Sequence, residues 1–226
     1  MIGIICALQE EIDGIICMLS DRMEQVIFNQ VFVIGVFQKK SVVCCCSGAG
    51  KVNSAMCAAI MINTYTKIEC LINLGVSGAI CPEIKQGNII IASKLLFHDC
   101  FGVFMKPKSD LADSIYFNSD VESVKKMEKA LCYLKQTYYI GLVITGDQFI
   151  CTRKKAMELY NLYSALSCDM ESTAIAQVCS ALNRKFLSVK LVSDYSNNSA
   201  CIDFKSFLRN ATNVCSQVIT EFLREE

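Results

Sequence analysis

One histidine, His98, is present in a chain of 226 residues, and only two prolines, Pro82 and Pro107. The fifteen cysteines contain no Cys-x-x-Cys pair, so a Cys/His zinc site has almost no material. Net charge is missing too: Lys plus Arg and Asp plus Glu number 22 each. Such a balance leaves no electrostatic footprint for nucleic acid or for an anionic membrane surface. No apolar run approaches the ~20 residues of a spanning helix. The apolar start, Met1 to Leu8, has no basic segment before it and is followed at once by Glu10, Glu11 and Asp13. These absences point to a cytoplasmic chain whose partner is a small molecule or a protein. The thiols then read as reduced, mostly buried, small apolar side chains, with nothing that marks a lowered thiol pKa.

What is abundant is apolar: the hydrophobic group makes up 53% and charged residues only 19%, enough for one well-buried core. Strand-like runs rich in Val and Ile occur at Ile2–Cys6, Val31–Phe37, Ser41–Cys46, Cys70–Leu74, Asn88–Phe97, Tyr139–Ile144, Leu166–Asp169 and Phe186–Val192. Helical spacing links Val124, Met127, Leu131 and Leu134, and again Phe204, Phe207, Leu208, Ala211, Val214, Val218 and Phe222. With no linker, repeat or low-complexity block, residues 1–226 read as one domain. Near-continuously apolar strands separated by helices predict an α/β fold with a largely parallel sheet covered on both faces. Val31–Phe37 and Ser41–Cys46 are too close for an intervening helix and predict an antiparallel hairpin, so the sheet is mixed. Ligands in such folds gather at the carboxyl ends of strands.

Five strand ends carry polar or glycine-rich segments. Ser47-Gly48-Ala49-Gly50-Lys51 opens a helix, and its N–H groups would face an anion or a ribose. It is not a P-loop, since Cys45 and Val52 stand where a glycine and a Ser or Thr belong, and Asn53 takes the third glycine of a dinucleotide fingerprint. A tight strand-to-helix turn explains the segment equally well. Asn73-Leu74-Gly75-Val76-Ser77-Gly78-Ala79 would let a ligand approach the backbone. Glu171 follows a strand directly and either complements a helix dipole or accepts from two vicinal hydroxyls. Asp194 ends a buried strand as a turn residue or as a group projecting into a site. Of Glu10 and Glu11, one of the two has a helix start as its ordinary role. Together, carboxylates arriving from distant parts of the chain suggest an acid-rich site.

In series these segments resemble the methylthioadenosine/S-adenosylhomocysteine nucleosidases. The matching stretches are Ile2–Glu11, Ser47–Val52, Asn73–Ala79, Phe97-His98-Asp99, Thr145–Ile150, Met170–Cys179 and Val192-Ser193-Asp194, in family order over essentially the whole chain. The resemblance implies a nucleoside phosphorylase/hydrolase-like fold, with a mixed central sheet forming a distorted barrel flanked by helices. It also implies a homodimer and hydrolysis of the adenine–ribose bond with no metal or organic cofactor. By the same resemblance Asp194 is the general acid at adenine N7, with a pKa raised enough to keep its proton, and Ser193 orients it. Glu11 is the base that activates water. Glu171, beside Met170, grips the ribose hydroxyls and stabilises the cationic sugar. Phe149 stacks on adenine, the Ile150 backbone reads its edge, and Gly78 lines the pocket. Ala7 belongs to the substrate-contacting set, while Leu8, Ala49 and Phe204 match apolar positions around the thioether, closed by Cys100–Lys108 of a neighbouring subunit.

Two residues depart from the family pattern. Val76 stands where a Ser or Thr hydroxyl usually helps hold the attacking water, with Ser77 next to it. Lys190 replaces an arginine common in bacterial members, a point charge in place of a fork. Both touch the nucleophile side, so adenine recognition is expected intact and turnover reduced. The alternatives are a phosphorylase of the same fold, disfavoured by the scarcity of arginine, a hydrolase of another nucleoside, and a non-catalytic purine-nucleoside-binding protein.

Overall fold

A computed structural model describes residues 1–100, 116–197 and 199–224, without the side chains of a few residues early in the last helix. Pro107 and most of Cys100–Lys108 lie outside the described residues. In chain order the elements are β1 (Ile2–Cys6), α1 (Gln9–Cys17), β2 (Ser20–Ile27), β3 (Gln30–Phe37), β4 (Lys40–Cys46), α2 (Lys51–Thr64), β5 (Cys70–Ala79) and β6 (Ile89–Phe97). There follow β7 (Phe117–Asn118), α3 (Val121–Tyr133), β8 (Tyr138–Thr145), α4 (Arg153–Tyr163), β9 (Ser167–Asp169), α5 (Ser172–Ala181), β10 (Lys185–Asp194) and α6 (Ala200–Arg224).

The sheet runs β10-β6-β8-β9-β5-β1-β4-β3-β2, and β10 pairs β5 as well. That extra pairing closes β10, β6, β8, β9 and β5 into a five-stranded barrel, from which β1, β4, β3 and β2 extend. The expected hairpin is present: β3 pairs β4 antiparallel, Phe32 opposite Cys45. Parallel pairs join β1 to β4 and β5, β5 to β10, and β6 to β8. The sheet is therefore mixed and flanked by helices on both sides.

Alternation along the buried strands sorts side chains between two large cores, and a third, smaller cluster gathers Leu96, Ile144, Ile150 and Leu159. Ile4, Ile72, Leu187 and Val189 face α1, α3 and α6, meeting Ile12, Leu131 and Phe222. Ile5, Leu71, Val143 and Val192 face α2 and α5, meeting Cys57, Met61 and Ile175. Each such Ile or Leu contributes roughly 1.5–3 kcal/mol by leaving water. Nine cysteines are buried among them, and all fifteen are free thiols. Burial pushes the Cys44 and Cys179 thiols up to about 12, which keeps them protonated.

Three features differ from the sequence reading. Ser20–Ile27 is a strand although it lacks apolar alternation, because it is an edge, exposed along almost its whole length and held by pairing with β3. Gly75–Ala79 continues β5 where a strand end was expected, since the partner β10 also continues: Val192 pairs Ser77 and Asp194 pairs Gly78. The register shifts between Val192 and Asp194, so Ser193 sits in a bulge that re-aims the acid beside it.

Candidate active site

Where the carboxyl ends of β1, β4, β5, β8, β9 and β10 meet the first turn of α6, a cleft opens with about 600 Å³ of space. Its wall contains Ala7, Leu8 and Glu11, then Ala49, then Val76, Ser77 and Gly78. It continues through Phe149 and Ile150, Met170 and Glu171, Ser193 and Asp194, and Phe204. Every site residue named from the sequence except Lys190 lines this one cleft. Lys190 lies behind the wall, 1% exposed.

Glu11 occupies the first turn of α1, and of the two adjacent acids it is the buried one, while Glu10 is exposed. Three backbone N–H groups donate to its carboxylate: Ala7 at 3.0 Å and Leu8 at 2.9 Å to Oε2, and Val76 at 2.9 Å to Oε1. Burial raises its pKa against the opposing pull of Lys190 and those donors. Gly75 makes the approach possible, because a Cβ there would stand 2.7 Å from Glu11 Oε1. Val76 thus serves Glu11 through its backbone although its side chain brings no hydroxyl. The neighbouring Ser77 Oγ is buried and has no hydrogen-bond partner among the described residues.

Glu171 is the cap residue of α5 and 5% exposed. Its Oε1 accepts the Gly50 N–H at 2.9 Å, which gives the glycine turn its use. Gly50 holds φ at +99°, a conformation only glycine adopts freely. Burial raises the Glu171 pKa to about 7, with Asp169 and Glu11 adding to the rise and Lys190 and the Gly50 N–H opposing it.

Asp194 is 1% exposed. The Ser193 hydroxyl donates to its Oδ2 at 2.8 Å and the Ser196 N–H to its Oδ1 at 2.8 Å. Phe149, also in the cleft wall, is 42% exposed, and its ring meets Phe204 edge-on at 5.7 Å.

Sequence reasoning passed over Asp169. It anchors the polar floor under the cleft: its Oδ2 pairs with Lys190 Nζ at 2.9 Å and its Oδ1 accepts from Thr145 Oγ1 at 2.6 Å. The Ser172 hydroxyl bonds both Asp169 and the Asn73 side chain. Burial opposes the Lys190 charge, yet Asp169, Glu171 and Glu11 together outweigh it and raise the lysine pKa. The signal lay in the Cys168-Asp169-Met170-Glu171 run, where a second acid two residues before Glu171 has no surface role. Gln148, Cys168 and Ser196 also line the cleft.

The family model of the phosphorylase superfamily matches residues 1–224, and the chain belongs to that superfamily. Within it, the chain is similar along its whole length to the 5′-methylthioadenosine/S-adenosylhomocysteine nucleosidases. The protein of that name from Staphylococcus aureus (strain bovine RF122 / ET3-1) is 31% identical over 224 residues, 97% of each chain. The Streptococcus pneumoniae nucleosidase, solved with the transition-state inhibitor MT-ImmA, superposes with a TM-score of 0.91 at 34% identity, covering 99% of this chain and 98% of that one. S-adenosylhomocysteine nucleosidase from Streptococcus pyogenes, in complex with 5-methylthiotubericidin, gives 0.92 at 30% identity over 98% and 95%.

Proposed function

We propose that the chain, as one nucleosidase domain over residues 1–226, hydrolyses the N-glycosidic bond of 5′-methylthioadenosine and S-adenosylhomocysteine and releases adenine. The observation that carries this reading is the convergence of Glu11, Glu171 and Asp194, from three distant strand ends, on one cleft that also holds the half-exposed Phe149 ring. Breaking the bond builds positive charge on the ribosyl ring and negative charge on the base. Asp194, held by Ser193 and Ser196, meets adenine N7 with its proton. Phe149 stacks on the purine while the Ile150 backbone and Gly78 border it. Glu171 grips the ribose hydroxyls, with Met170 beside it, and its carboxylate offsets the cationic sugar. Glu11, fixed by three N–H donors, takes a proton from the attacking water, and Lys190 behind it supplies the balancing positive charge. Leu8, Ala49 and Phe204 enclose the thioether substituent, and Ala7 adds a further substrate contact.

Among the described residues lining the cleft there is no arginine, which favours water over phosphate as nucleophile. Among the described residues no helix is long and apolar enough to cross a membrane. Fifteen free thiols suit the reducing cytoplasm, where we place the protein. A homodimer is the assembly we assign. Its support is the exposed pair Val52 and Met56, one turn apart on α2 beside the glycine turn.

The test is adenine release from each nucleoside by the purified protein, followed by ultraviolet absorbance. Cleavage of both supports the reading; binding without release would move the chain to the purine-binding alternative.

A further inference from the structure

One charge cluster joins the ends of three strands, β4, β6 and β8. Lys51 Nζ, after β4, lies 2.7 Å from both carboxylate oxygens of Asp99, after β6. Asp147, after β8, ties into each of them. Its N–H donates to Asp99 Oδ2 at 2.8 Å, its Oδ1 accepts the Lys51 N–H at 2.8 Å, and its Oδ2 stands 3.7 Å from Lys51 Nζ. The Lys51 and Asp99 side chains are only 21% and 18% exposed, and the ammonium sits 5.4 Å from the Phe97 ring centroid. A two-oxygen, charge-assisted contact sheltered in this way holds geometry better than a solvated surface pair. Beneath it the buried His98 ring packs so closely on Gly146 that a Cβ there would collide with it.

None of the three charged residues lines the cleft, yet both segments they join do. On one side stands Gly50, whose N–H holds Glu171 and whose Cα faces Asp147. On the other, Gln148, Phe149 and Ile150 follow Asp147 directly, in a stretch of neither helix nor strand. The cluster spans the gap between these two segments directly, through side chains from both.

We propose that Lys51 and Asp99 are positioning residues: their ion pair, joined by Asp147, holds the glycine turn and residues 148–150 at one separation, so that Glu171 meets the ribose while Phe149 meets the purine. The inference rests on the nucleosidase reading above. Its test compares the unsubstituted protein with Asp99→Asn, Lys51→Met, their combination, Lys51→Arg and the milder Asp147→Asn. Turnover of methylthioadenosine gives kcat and KM separately, and calorimetric titration with adenine reads the purine side without turnover. Asp99→Asn and Lys51→Met are expected to raise KM and weaken adenine binding by roughly tenfold each, since small misplacements of bound groups are costly. The double variant should be no worse than the worse single one, because both break one contact. Lys51→Arg should stay within about threefold of the unsubstituted protein, and Asp147→Asn should shift by a similar few-fold factor in the direction of the singles. Unchanged KM and adenine affinity, with only the melting temperature lowered, would overturn the proposal, as would additive effects. If the unsubstituted protein binds adenine but releases none, the hydrolase reading falls alone and the adenine titrations still decide this one. Failure to bind adenine at all would remove both.

Discussion

Replacing Glu171 with Gln should make the ligand-free protein more stable while disabling it. The carboxyl is buried and faces Asp169 on β9, Glu11 on α1 and Lys190 on β10, with the Gly50 N–H on its Oε1. Its pKa rises from 4.5 to about 7 on folding. Between those values the folded chain binds more protons than the unfolded one, so this group's contribution is fully present at low pH and is lost as pH climbs through about 7. At about 1.4 kcal/mol per pH unit the interval amounts to roughly 3 kcal/mol. Glutamine has no proton to lose, and its amide oxygen can still accept from Gly50. Urea unfolding of the two proteins near pH 5 and near pH 8 measures the difference. The variant should gain little at the lower pH and roughly 3 kcal/mol at the higher, about 6–12 °C in melting temperature for a chain of this size. Its kcat/KM should fall by about 100-fold or more as the ribose contact and the balancing charge are lost. An equal gap at both pH values, or a variant less stable near pH 8, would show that burial of the Glu171 charge does not oppose folding.

Asp194→Asn keeps the shape and the acceptor for the Ser196 N–H but has no acid proton for N7. Adenine release should fall by about 10²–10⁴, while calorimetry shows nucleoside still bound. Gly75→Ala places a methyl group 2.7 Å from Glu11 Oε1 and pushes the carboxylate off its N–H donors; kcat should drop about tenfold or more with KM little changed. Val76→Thr restores a hydroxyl at nearly constant volume beside Glu11. Steady-state kinetics should show kcat rising by about two- to tenfold, and an unchanged kcat would mean the water is already held.

Central strands such as Ile2–Cys6 and Phe186–Val192 were legible in the sequence because a strand buried on both faces is predominantly apolar. Ser20–Ile27 was not, since an edge strand needs only backbone partners and tolerates any side chain. The lengths of β5 and β10 were hidden for a related reason: each continues through glycine or polar residues only because the other is there to pair with it. In the cleft, the acids stood out individually as charges at the ends of apolar runs. What could not be read was their mutual arrangement. Asp169 looks like one more acid in a helix-starting run, and only the register of β10 beside β5, which brings Lys190 to the level of Gly75 and Glu11, shows why a buried lysine needs it. The Lys51–Asp99 pair joins residues 48 positions apart, one opening α2 and the other following β6, and no local pattern announces such a contact.

Hydrolysis makes water the acceptor of the ribosyl group. Mass spectrometry of the sugar formed from methylthioadenosine in phosphate-containing buffer identifies that acceptor. Free methylthioribose, formed at the same rate with phosphate present or absent, is the predicted result. A sugar phosphate, or cleavage that requires phosphate, would contradict it and place the chain with the phosphorylases of its superfamily.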